Sequence, residues 1–170
     1  MNNPRPYERG GFRAILDCGY CHNRWLEIAL DYLPENLLEV EENFLFTSTA
    51  TRDACRVARY YCRDREIILI SERILPNTTI VYQTDPKARY FIYVVLHEVA
   101  HAIKKHKSPL FDALSEDEFV GQEKEADDLA IKWFNDHVSG IDGLKPITKE
   151  EIKVAQEDQQ QFMQKLKNGI

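Results

Sequence analysis

No apolar run in this chain approaches the roughly 18 consecutive residues of a membrane-spanning helix, and the polar start Met1-Asn2-Asn3-Pro4-Arg5-Pro6 lacks the hydrophobic core of a signal peptide. Those absences predict a cytoplasmic protein with no membrane partner. Cysteine is scarce, with Cys18, Cys21, Cys55 and Cys62 as the full set. A reducing compartment keeps such thiols free, so a disulfide scaffold is not expected. Cys18-Gly19-Tyr20-Cys21-His22 matches the c-type haem signature, but a haem-bearing chain needs export and no export signal is present. A four-cysteine zinc site is the better alternative, yet its second half is poor. Cys55 and Cys62 are an odd number of residues apart and would face opposite sides of one strand. Burial as small apolar residues is the default for these thiols. Basic charge is also short: the formal net charge is −6 and the sequence pI about 5.4, which disfavours nucleic acid and anionic membrane as partners. The hydrophobic fraction of 44% is enough for a globular core.

What is present is His97-Glu98-Val99-Ala100-His101, the pattern H-E-x-x-H. On a helix, positions i and i+4 share a face one turn apart, so both imidazoles can bite one tetrahedral zinc ion. Bond lengths of about 2.0–2.1 Å leave room for a third protein ligand and a water. Zinc lowers the pKa of that water to roughly 7, and a carboxylate beside the first histidine can take its proton as it attacks a carbonyl. Glu98 is the expected general base. The flanks Val94, Val95, Leu96, Val99, Ala100, Ala102 and Ile103 are apolar, so the helix reads as buried through the motif. Burying two histidines and a glutamate costs several kcal/mol unless a ligand satisfies them. Asp85-Pro86 supplies an N-cap and a first-turn proline, predicting a helix over 86–105.

A third ligand must come from elsewhere. Position 107 is Lys and position 104 is Lys, so the longer pattern H-E-x-x-H-x-x-G-x-x-H fails, with His106 one residue short of its last place. Downstream, Glu123-Lys124-Glu125-Ala126-Asp127 stands in a second helical run opened by a capping box of Ser115 and Glu118. Phe119, Val120, Ala126, Ala130, Trp133 and Phe134 are its expected apolar stripe. Glu123 and Asp127, four apart, share one face. On that geometry Glu123 reaches the metal and Asp127 accepts a hydrogen bond from a ligating histidine, setting its tautomer. Glu125 is the competing ligand, but it points about 200° around the helix from Glu123 and lacks the paired Asp. Tyr82, Tyr90, Tyr93 and His137 are candidates for an oxyanion donor, each with an ordinary packing role as the alternative.

His97-Glu98-x-x-His101 followed by Glu123-x-x-Ala126-Asp127 resembles the gluzincin metallopeptidases, in particular the minigluzincins, ImmA/IrrE-type peptidases and the catalytic core of HtpX-type proteases. The resemblance covers roughly residues 40–138, the size of one small domain. It implies His97, His101 and Glu123 as Zn²⁺ ligands, Glu98 as general base and Asp127 as outer partner, with a peptide or protein substrate, a repressor-like protein among the candidates. The chain departs from HtpX-type enzymes in having no apparent transmembrane segment, and from ImmA/IrrE proteins in carrying Ile131-Lys132-Trp133-Phe134 where L-L-M-P is common. The alternative function is a regulatory or partner-binding protein whose zinc site performs little general proteolysis.

Along the chain the pattern is α+β. Residues 1–13 read as a loose arm and 22–33 as an amphipathic helix ended by Pro34. Strand signals follow at 44–49, at 56–62 with 66–71 as a hairpin, and at 78–83, whose edge is a candidate for pairing with an extended peptide. The architecture expected is a small twisted antiparallel or mixed sheet packed on the H-E-x-x-H helix and a second Glu-bearing helix, zincin-like in arrangement. The division expected is an N-terminal arm and helix over 1–39, a metallopeptidase domain over 40–138, and a linker with a C-terminal helix over 139–170. In that last segment Gly140, Gly143 and Pro146 mark the linker and Thr148 with Glu151 opens the helix. Ile152, Ala155, Phe162, Met163 and Leu166 form a short stripe expected to dock on the chain's own domain.

Overall fold

In a computed structural model of the chain, the residues described are 4–39, 43–49, 55–57, 66–76, 83–108 and 112–167. They form an α+β structure with a mixed sheet and four α-helices: β1 (Arg5–Arg9), β2 (Phe12–Asp17), α1 (Tyr20–Leu30), β3 (Asn43–Thr49), β4 (Cys55–Val57), β5 (Glu66–Ser71), α2 (Pro86–Ile103), α3 (Glu116–Val138) and α4 (Lys149–Lys167). The strand order is β1-β2-β3-β5-β4. The two inner pairings, β2 with β3 and β3 with β5, are parallel, and the two outer ones are antiparallel.

The loose arm expected at the N-terminus is corrected. Residues 5–9 and 12–17 are a hairpin, and β2 lies inside the sheet between β1 and β3. Its turn is Gly10-Gly11, with Gly10 at φ 59, a conformation that costs a residue without Cβ little. β2 alternates as a half-buried strand should: Phe12, Ala14 and Leu16 are buried between Arg13, Ile15 and Asp17. Opposite them in register stand Phe44 and Phe46 of β3, then Ile68 of β5, so this face of the sheet is apolar apart from the buried Glu66 opposite Phe44. Phe12 stacks on Phe44 with ring centroids 4.6 Å apart.

That face shares a buried cluster with the helices. Asn23 of α1 ties helix to sheet: its side chain accepts from Cys18 N–H and donates to the Leu16 carbonyl, both at 3.0 Å. α1 begins two residues earlier than the sequence predicts and ends at Leu30, ahead of Pro34. α2 is capped as expected, Asp85 accepting from the N–H groups of Lys87 at 2.9 Å and Ala88 at 3.2 Å, with Pro86 in the first turn. It is the central element, touching α1, α3, α4, β4 and β5. The capping box of Ser115 and Glu118 opens α3, but Phe119 and Val120 are exposed, so the buried stripe of that helix starts only at Ala126.

α4 is held at its first turns. Arg89 of α2, 6% exposed, donates to both carboxylate oxygens of Glu151 at 2.6 and 3.1 Å and to the carbonyls of Lys145 and Pro146. Its guanidinium also lies 5.1 Å from the centre of the Phe134 ring, so charge, hydrogen bonding and stacking converge on one side chain. Ile147 and Ile152 join the main buried cluster. β4 and β5 pair antiparallel, as the hairpin reading requires, while residues 58–65 between them lie outside the described residues. So do the strand expected at 78–83, apart from Gln83 in a turn, and the side chains of Phe162, Met163 and Leu166. Among the described residues no helix is long and apolar enough to cross a membrane.

Candidate metal centre

His97 and His101 sit on one face of α2, where the i, i+4 spacing of the motif places them. Their Nε2 atoms face each other at 2.9 Å. Across from them, α3 presents Glu123, one carboxylate oxygen 3.4 Å from His97 Nε2 and the other 3.4 Å from His101 Nε2. One ligand atom from each of the three residues lies within 4.8 Å of the other two, and no other group of this kind is found among the described residues. A tetrahedral zinc ion with bonds of about 2.0–2.1 Å needs its donor atoms about 3.3 Å apart. Each histidine nitrogen has a Glu123 oxygen at close to that spacing, though not the same oxygen, so the carboxylate must turn to serve both with one donor atom and the nitrogen pair must open by a few tenths of an ångström. Two imidazole nitrogens and a carboxylate oxygen also form a donor set that suits zinc. The cluster could therefore hold the ion.

Asp127 stands one turn after Glu123, its Oδ1 2.9 Å from His97 Nδ1. The contact is close but not aligned as a hydrogen bond on Nδ1. Tyr93 of α2, one turn before His97, donates its hydroxyl to the same Asp127 oxygen and is nearly buried. The structure thus commits Tyr93 to holding Asp127 in place rather than to an oxyanion role. Burial first, then the Asp127 carboxylate, pushes the Tyr93 hydroxyl well above the usual phenol range.

His97, Glu123 and Asp127 are electrostatically linked. Burial opposes charge on His97, but Asp127 and Glu123 outweigh it and push its pKa up to about 10. Burial likewise opposes charge on Glu123 and Asp127, yet contact with His97 holds both carboxyl groups below their ordinary range. A proton on His97 answers the surrounding negative charge.

Glu98 is buried, 7% exposed, on the helix that carries both histidines. Glu125 points away from the cluster, pairing Lys104 at 2.6 Å and His106 at 3.1 Å, as a residue two positions from Glu123 must. His106 is a residue whose place sequence reasoning missed: its Nδ1 lies 2.9 Å from His101 Nδ1. Of the other oxyanion candidates, Tyr90 directs its hydroxyl to Gln159 at 3.4 Å and His137 stacks on Tyr32 at 3.9 Å between centroids. Tyr82 lies outside the described residues. Cys18 is a buried free thiol, pushed up to about 12 by burial and then by Asp17 and Glu72, in keeping with a small apolar role. The side chains of Cys21, Cys55 and Cys62 lie outside the described residues.

The chain belongs to DUF6639, a family of unknown function, which it matches over residues 38–163. That span takes in α2, α3 and most of α4, and with them every residue of the cluster. No curated protein and no solved structure matches the chain.

Proposed function

We propose that this protein is a zinc-dependent endopeptidase of gluzincin type, with a zincin-like arrangement of sheet, motif helix and Glu-bearing helix. The observation that carries the reading is the convergence of His97, His101 and Glu123 from two helices, one ligand atom from each within 4.8 Å of the other two. Zinc there would supply a Lewis acid and a water whose pKa is lowered to roughly 7. The chain's own residues account for the rest of the chemistry. Glu98 accepts the proton of the attacking water and returns it to the leaving amine as the C–N bond breaks. Asp127, steadied by Tyr93, keeps His97 oriented with Nε2 toward the cluster. The apolar walls of α2 around the motif limit water at the carboxylate, which favours proton transfer over solvation.

The substrate class is a peptide or protein segment, a repressor-like protein among the candidates. β4, last in the strand order among the described residues, packs against α2, and an extended peptide adding there would run along the sheet that carries the motif helix. A cytoplasmic setting belongs to the same reading, supported by the free thiol of Cys18. The test pairs zinc content with peptide cleavage in wild type and Glu98→Gln. Both should carry one zinc per chain, and the substitution should lower cleavage by about 10²–10⁴-fold, the usual contribution of a positioned base. A wild type that binds zinc but cleaves neither unfolded nor repressor-like substrates sinks the peptidase reading and leaves a binding protein.

A further inference from the structure

His97 has Asp127 behind it, and His101 needs a partner of its own. The end of α2 provides one by backbone geometry. Lys105 takes φ 56, its N–H donates to the Ala102 carbonyl at 3.0 Å, and the N–H of His106 donates to the His101 carbonyl at 3.0 Å. These are the two hydrogen bonds of a Schellman motif, in which the second residue past the C-cap folds back over the third residue from the helix end. An apolar contact usually joins those two positions. Here the pair is His106 over His101, ring centroids 4.9 Å apart and planes at 76°.

Resting on the reading of His97, His101 and Glu123 as metal ligands, we propose that His106 is the positioning residue of His101 and couples it to Glu125. The order of atoms is His101 Nδ1 to His106 Nδ1 at 2.9 Å, then His106 Nε2 to Glu125 Oε2 at 3.1 Å. Hydrogen bonding gives this chain a direction. A ligating His101 must keep Nε2 unprotonated, so the neutral ring carries its proton on Nδ1 and donates it toward His106 Nδ1. His106 then accepts at Nδ1, carries its own proton on Nε2 and donates to the Glu125 carboxylate. Each link selects the tautomer that leaves the lone pair of His101 facing the cluster. Lys104, 2.6 Å from the other Glu125 oxygen, anchors the far end. The arrangement also gives Glu125 a use as the outer carboxylate of the second histidine, paralleling Asp127 behind the first.

The experiment measures zinc affinity of the full chain by competition with a chromogenic chelator, alongside the melting temperature of the metal-free form. His106→Leu, which removes the acceptor, should weaken zinc binding by about 10–100-fold, the usual cost of losing an outer partner. His106→Asn offers an amide oxygen near the former Nδ1 position and should restore most of that affinity. Glu125→Gln should weaken binding in the same direction by less. The absorption of Co²⁺ bound in place of zinc should differ from wild type in the Leu variant and return in the Asn variant. Unchanged affinity in His106→Leu, or equal losses in Leu and Asn variants of unaltered melting temperature, overturns this inference while the metal centre stands. Wild type that takes up no zinc overturns the metal centre itself and this inference with it.

Discussion

α2 and α3 meet at one site but reach it from opposite conditions. α2 is buried on nearly every side from Ala88 to Ala102, with even Arg89, Glu98 and His101 inside. α3 is anchored only by its later part: Ala126, Ala130, Trp133, Phe134 and Val138 are in the core, while everything from Glu116 to Gly121 is exposed. His97 and His101 therefore stand on a rigid platform, and Glu123 stands where α3 passes from solvent into the core, its side chain 40% exposed. Polar contacts steady that half of α3: the capping box, Lys107 Nζ to Glu118 at 2.9 Å, and Lys107 N–H to Gln122 at 2.7 Å. A cluster assembled this way can give Glu123 some freedom without loosening the two histidines, because hydrophobic burial and exposed polar contacts differ several-fold in what they contribute.

The contrast can be broken most forcefully through the platform. Phe91→Ala empties a fully buried aromatic position on α2 and should cost about 3–5 kcal/mol, seen as a large fall in the denaturation midpoint. Little change there would mean that α2 is not the rigid partner. On the α3 side, Glu123→Ala should leave the fold near wild type but lower zinc affinity by on the order of 100-fold or more, beyond the loss from an outer partner. Glu125→Ala should lose less, and the reverse order would move the third ligand. The smallest effect is expected from Ser115→Ala, which removes the cap of α3 at a cost of about 1 kcal/mol. If the exposed half of α3 is held as described, hydrogen exchange should quicken at residues 116–121 and stay slow in α2.

Elements bounded by local chemistry were legible in the residues themselves. Asp85-Pro86, Ser115 with Glu118, and Thr148 with Glu151 each mark a helix start through a side chain reaching a backbone N–H two or three residues on, an interaction needing no distant partner. The hairpin of β1 and β2 was missed although Gly10-Gly11 stands between two short runs, because Pro4, Pro6 and the charges around them outweigh a turn signal of two residues. The parallel pairings of β2, β3 and β5 had no local sign, since partners separated by a crossover leave no mark in either strand. His106 was hidden for a related reason. The residue that turns the chain under His101 is Lys105, where a glycine would have announced the fold-back.

The spacing in H-E-x-x-H and the four-residue step from Glu123 to Asp127 determined by themselves which side chains share a face, because helical periodicity is a local property of the backbone. Only the packing of α3 on α2 decided that Glu123 rather than Glu125 faces the two Nε2 atoms, that Tyr93 supports Asp127, and that His106 lies behind His101. Those outcomes depend on how far one helix is rotated and shifted against another, and that is set by the shapes of buried side chains remote from the site in sequence.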